Sequence, residues 1–61
     1  LLLYPVNGKY KISLRSNYFV DVNAIAKEFG GGGHTRAAGG DTNDAPEVAI
    51  EKILKLIEKQ L

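Results

Sequence analysis

L-Y-P-V-N-G-K-Y-K-I-S-L-R, residues 3–15, is the stretch that decides the fold class. Asn7-Gly8 signals a two-residue type I′ turn, because both residue types tolerate positive φ and the twist of that turn matches the strands it joins. A β-hairpin follows. Beyond the turn, Tyr10, Ile12 and Leu14 alternate with Lys9, Lys11, Ser13 and Arg15, which is the two-residue period of a half-buried strand. A two-residue loop pairs Val6 with Lys9, so Pro5 faces Tyr10, Leu3 faces Ile12 and Leu1 faces Leu14. Pro5 then falls at a non-hydrogen-bonded pair, where its missing N–H removes no bond from the hairpin. The Leu-rich first strand reads as buried on both faces, which calls for further strands or helices around it. Lys9 and Lys11 read as edge charges that deter aggregation, and Ser13 as a strand serine facing solvent.

Outward from the hairpin, Asp21 caps a helix in which Val22, Ile25, Ala26 and Phe29 recur on one apolar face. Gly30 is placed to end it as a left-handed residue. Farther on, Asp44-Ala45-Pro46-Glu47 carries an acidic cap, an early proline and a glutamate three residues after the cap, which together mark the start of a second, longer helix. Its apolar stripe takes in Val48, Ala49, Ile50, Ile53, Leu54, Leu56, Ile57 and Leu61, with Glu51 and Lys55 set for an i,i+4 pair. Ala37, Ala38 and Gly39 supply a short extended segment returning to the sheet. The expectation is an α+β fold: a small β-sheet opened by the Asn-Gly hairpin, two helices packed on it, and a Gly-rich loop between them.

The chain has 61 residues, enough for one domain that buries only about 60% of the surface its unfolded form exposes. With no cysteine, neither disulfides nor a zinc cluster can staple it, and the core must be apolar side chains. A formal net charge of +1 excludes a general polyanion-coating role and leaves room for a focused contact. No apolar run approaches the ~20 residues needed to cross a bilayer, and Leu1-Leu2-Leu3 lacks the flanks of a signal peptide. A cytoplasmic protein is expected, with no membrane partner. The chain starts at Leu1 and contains no methionine, so a domain cut from a larger protein is expected.

Residues 30–40, G-G-G-G-H-T-R-A-A-G-G, are a site or wrap one. Each ordered glycine forfeits roughly 0.5–1 kcal/mol relative to alanine, and only Gly30 has a structural reason visible in the sequence. Gly31, Gly32 and Gly33 therefore point either to positive φ or to close backbone approach, with His34 directly after them and Arg36 two residues on suiting an anion. Neither G-x-x-x-x-G-K-[S/T] nor G-x-G-x-x-G fits the run, and it follows a helix rather than a strand. Asp41-Thr42-Asn43-Asp44 resembles the opening of a calcium loop, but Ala45-Pro46 stands where a ligand and the turn glycine belong. One histidine and no cysteine cannot assemble a metal site, and no nucleophile stands in a triad pattern. No catalytic residue and no metal ligand is expected in the chain. Arg15 precedes Ser16-Asn17 at a strand end, where loops hold binding groups on a rigid scaffold.

Together, S-L-R-S at residues 13–16 and G-G-G-H-x-x-A-A-G at residues 31–39 resemble the DHH-associated domain found C-terminal to the catalytic domain of DHH-family phosphoesterases. The resemblance spans nearly the whole chain, so residues 1–61 are expected to form one such substrate-binding domain. The S-L-R-S form is most similar to the branch of oligoribonucleases and of cyclic-dinucleotide or adenosine-bisphosphate phosphodiesterases. It implies that Arg15 and Ser16 hold a phosphate or terminal nucleotide with Asn17 beside them. It further implies that Gly31, Gly32 and Gly33 let the backbone approach the ligand, and that His34 bonds a phosphate oxygen or lies against a base. Arg36 lies outside the family's motif. The Asp-His-His metal motif is absent, so catalysis and the manganese it uses are expected in an N-terminal catalytic domain of the parent chain. The implied partners are a short oligonucleotide, a cyclic dinucleotide or a nucleoside bisphosphate, together with that catalytic domain and a possible homodimer of the parent. Two alternatives stay open: a non-catalytic nucleic-acid-binding module such as that of an alanyl-tRNA synthetase, and a structural or dimerisation domain.

Overall fold

The computed structural model describes residues 1–17 and 19–61. Among the described residues the elements run β1 (Leu2–Val6), β2 (Lys9–Arg15), α1 (Val22–Lys27), β3 (Gly32–Gly33), β4 (Ala37–Thr42) and α2 (Pro46–Gln60). The strands form one antiparallel sheet in the order β1-β2-β4-β3. The α+β expectation holds. At the hairpin, Asn7 and Gly8 take φ of 50° and 80°, and the register runs Val6↔Lys9, Pro5↔Tyr10, Leu3↔Ile12 as counted from the sequence.

One face of the sheet is covered and the other is open. Ile12 and Leu14 of β2 pack with Val22, Ile25 and Ala26 of α1 and Ile53 of α2 into a single buried cluster, while Leu3, Phe29, Ala38, Leu56 and Ile57 close its margin. Lys9, Lys11, Ser13 and Arg15 consequently stand on the open face. The short α1 is defined at both ends. Asp21 Oδ1 accepts from the Ala24 N–H at 3.2 Å, and Gly30, at φ 70°, ends the helix as expected. The Gly30 N–H bonds the Lys27 carbonyl and the Gly31 N–H the Ala26 carbonyl, the paired closure that spends a helix's last acceptors.

Four expectations need correction. β1 is an edge strand, not a strand buried on both faces: Leu2, Tyr4 and Val6 are exposed and only Leu3 turns into the core. β2 is not an edge, because β4 returns to its far side through six register pairs, so Lys9 and Lys11 do not serve as edge guards. Asp44 does not cap α2, whose N-cap is Ala45 without a side-chain bond. Its carboxylate instead accepts from Lys52 Nζ at 2.7 Å, and that bond holds the Asp44 carboxyl below the ordinary aspartate range. The stripe of α2 is wider than its buried seam, since Ala49 and Ile53 are buried while Val48, Ile50, Leu54 and Leu61 stay exposed. One tie was not foreseen. The Asp21 N–H donates to Gln60 Oε1 at 2.7 Å and Gln60 Nε2 donates to the Asp21 carbonyl at 3.0 Å, fastening the last turn of α2 to the first of α1.

Candidate functional site

The two motifs that stand far apart in the sequence meet at one end of the sheet. Arg15 pairs with Ala37 across β2 and β4, and the next residue, Ser16, donates its N–H to the Arg36 carbonyl at 2.9 Å. His34 to Ala37 form a tight turn closed at both ends, with the His34 N–H on the Ala37 carbonyl at 2.8 Å and the return bond at 3.3 Å. That turn is anchored on α1 as well, because the Val22 N–H bonds the Thr35 carbonyl at 2.9 Å. The arginine-serine end of β2 and the glycine-histidine turn are thus one backbone-bonded unit.

Beside that unit lies a shallow basin of about 580 Å³ lined by Arg15, Ser13, Lys11, Tyr4 and the backbone of Gly31, Gly32 and Gly33. Ser16, Asn17 and His34 are not among its lining residues; Ser16 is half-buried, and Asn17 and His34 are exposed next to it. Among the described residues, the side chains of Arg15, Ser16, Asn17 and His34 make no hydrogen bond or ion pair. A guanidinium held at a strand end with all its donors unspent is suited to bidentate capture of a phosphate. A second basin of equal volume, about 580 Å³, opens on the helix side next to Lys52 and Lys55. Its chemistry differs, because Lys52 is paired with Asp44 at 2.7 Å and Lys55 with Glu51 at 3.4 Å. Free cationic donors, not volume, distinguish the two.

The glycine run divides by cause. A Cβ on Gly31 would overlap the Gly39 carbonyl oxygen and stand 2.6 Å from Gly40 Cα, so this backbone is packed flat against β4. Gly33 has φ of 151°, and a Cβ there would meet the Ala37 oxygen at 2.7 Å. These two glycines have structural reasons that the sequence did not disclose, and with Gly32 and Gly33 paired to β4 the loop is partly strand. Gly32 differs: its φ is not positive, and a Cβ would find only Asn23 Oδ1 at 3.5 Å. Nothing among the described residues demands glycine at position 32. Sequence reasoning passed over Lys11, Ser13 and Tyr4, which line the basin. The period-2 pattern put Lys11 and Ser13 on the same face as Arg15; what the pattern lacked was that no helix covers that face.

The DHHA1 domain matches this chain over residues 1–61. No curated protein matches it.

Proposed function

The chain belongs to the DHHA1 domain family, the accessory domain of DHH-family phosphoesterases that usually sits with an N-terminal DHH catalytic domain, and from that premise we propose that it grips a phosphate of a short nucleic acid or nucleotide for hydrolysis by the neighbouring domain. The observation that carries this reading is the bonded junction of the two motifs, which sets the unpaired Arg15 beside the glycine backbone. Arg15 supplies the bidentate phosphate contact, and the Ser16 hydroxyl and His34 imidazole add donors on either side. Asn17 lies next to them as a further donor. Gly32 gives the ligand close access to the chain, while Gly31 and Gly33 hold that stretch of backbone in place.

We assign the manganese that the resemblance implies to the catalytic domain of the parent enzyme. Among the described residues no three His, Asp or Glu side chains converge, and the Asp44 carboxylate is engaged by Lys52. Metal-assisted chemistry is assigned to residues outside 1–61, and this domain binds without cleaving. No helix among the described residues is long and apolar enough to cross a membrane.

Arg15→Ala and His34→Ala in the full-length protein test the assignment. Both side chains are exposed, so turnover of short oligonucleotide or nucleoside bisphosphate should fall at least tenfold, about 1.4 kcal/mol, while the melting temperature stays at the wild-type value. Wild-type turnover together with wild-type melting in both variants removes the site.

A further inference from the structure

Helix α2 is apolar over a wider arc than the core it seals. Ala49 and Ile53 are buried, and next to them round the helix Ile50, Leu54, Ile57 and Leu61 fall in one row at i, i+4, i+7 and i+11. Ile57 packs against the margin of the core, whereas Ile50, Leu54 and Leu61 are 37%, 52% and 82% exposed. At 1.5 Å per residue the row runs roughly 16 Å along the helix. Single exposed leucines are ordinary, but a continuous row at helical spacing is what one helix presents to another.

The border of this row is acidic. Glu47 and Glu51 stand seven and three residues before Leu54, and Glu58 four after it, so all three flank the row on one side. Its other side is Ala49 and Ile53, already spent on the core. Glu51 is paired with Lys55 at 3.4 Å, while Glu47 and Glu58 make no ion pair among the described residues. Lys52 and Lys59 lie on the opposite side of the helix from Leu54, and Lys52 is bonded to Asp44. A second copy laid antiparallel on the row would set its own glutamates against these, a like-charge juxtaposition that costs affinity. A parallel copy would bring them against the body of the domain, since the row has only one open side.

We propose that the Ile50–Leu61 row of α2 docks an amphipathic helix of a partner protein that carries Lys or Arg beside its own apolar stripe. Ile50, Leu54 and Leu61 supply the buried area, and Glu47 and Glu58 select the partner and fix the side from which its charges approach. No residue of α2 lines the basin at Arg15, so the docking surface is separate from the phosphate grip and stands or falls without it.

Fluorescence anisotropy of the full-length protein with a labelled helical peptide of about 15 residues tests this. The probe has Leu at i, i+4, i+7 and i+11 and Lys beside them, and its control carries Glu in place of Lys. The Lys peptide should bind at least about tenfold more tightly than the Glu peptide, by a margin that shrinks as salt rises. Leu54→Ala should weaken the Lys peptide about tenfold. The double variant Glu47→Lys, Glu58→Lys should reverse the preference between the two peptides, a gain that misfolding cannot produce. None of these variants should change turnover. Equal binding of the two peptides, or a preference that the double variant does not reverse, refutes the proposal. So does the absence of binding. In that case a Leu54→Ala protein that passes from dimer to monomer in light scattering assigns the row to a second copy, and one that melts several degrees lower assigns it to another segment of the parent chain.

Discussion

Alanine substituted in turn at Gly31 and Gly32 separates architecture from ligand contact within a run of identical residues. At Gly31 the new methyl would overlap the Gly39 carbonyl oxygen and press on Gly40 Cα at 2.6 Å, and both belong to the backbone of β4, the strand that β2 and β3 share. Backbone inside a sheet cannot swing aside as a side chain can. Overpacking typically costs about 1–3 kcal/mol even where side chains yield, so a loss of about 3 kcal/mol or more is expected here. For 61 residues at ~0.05–0.15 kcal/mol per residue, the whole stability is only about 3–9 kcal/mol, and Gly31→Ala should leave the domain largely unfolded or close to it. At Gly32 the methyl has only Asn23 Oδ1 at 3.5 Å and the φ is not positive, so the substitution chiefly restricts the unfolded chain. It should stabilise by about 0.4–1 kcal/mol, which raises the melting temperature by roughly 2–8 °C in a domain this small. Thermal and urea melts followed by circular dichroism measure both variants. A Gly31→Ala protein within a few tenths of a kcal/mol of wild type, or a Gly32→Ala protein destabilised by more than about 1 kcal/mol, would refute the packing account. The same Gly32→Ala protein, stable, should bind phosphate ligand more weakly; unchanged affinity would remove Gly32 from the ligand site.

Two further outcomes follow from the ties around α2. Gln60→Ala removes both bonds to the Asp21 backbone and should lower stability by about 1 kcal/mol in urea melts, with binding at the open face unaffected; no change would mean that water replaces the clamp at no cost. Asp44 titrates lower when folded than when unfolded, because Lys52 bonds its carboxylate; its contribution is present above the unfolded aspartate value, near pH ~3.9, and is lost as pH falls through the lower folded value. Wild type should therefore lose melting temperature on acidification below about pH 4 more steeply than Asp44→Asn, and parallel pH profiles would contradict the pairing.

Much of the fold was legible because its signals are local. Asn7-Gly8 dictates a turn by φ preference, and the turn length then counts out the register to Leu3↔Ile12 without reference to anything distant. Asp21 and Gly30 bracket α1 through side-chain capping and positive φ, which depend on a few neighbouring residues. Asp44 shows where local signals fail: its sequence position suits a cap, but Lys52, one helical turn and more along α2, offers its carboxylate a charged donor instead. That the Arg15-Ser16 and glycine-histidine motifs belong together was an expectation from resemblance; the structure adds that the two segments are bonded to each other through their backbones.

The alternation of β2, the two helices and the hairpin turn follow from chain-local sterics, capping and periodicity, whereas the pairing of the two motifs came from resemblance to a family. That β4 lies between β2 and β3 is set by packing across the whole chain, and from that placement came the rest. It made β2 interior, joined Ser16 to the turn after His34, packed Gly31 against Gly39, and left the Lys11–Arg15 face uncovered. Strand order is a choice among pairings of similar local quality, and the selection is made by which arrangement buries Ile12, Leu14, Ile25 and Ile53 together. That is a property of the whole chain, and no single segment states it.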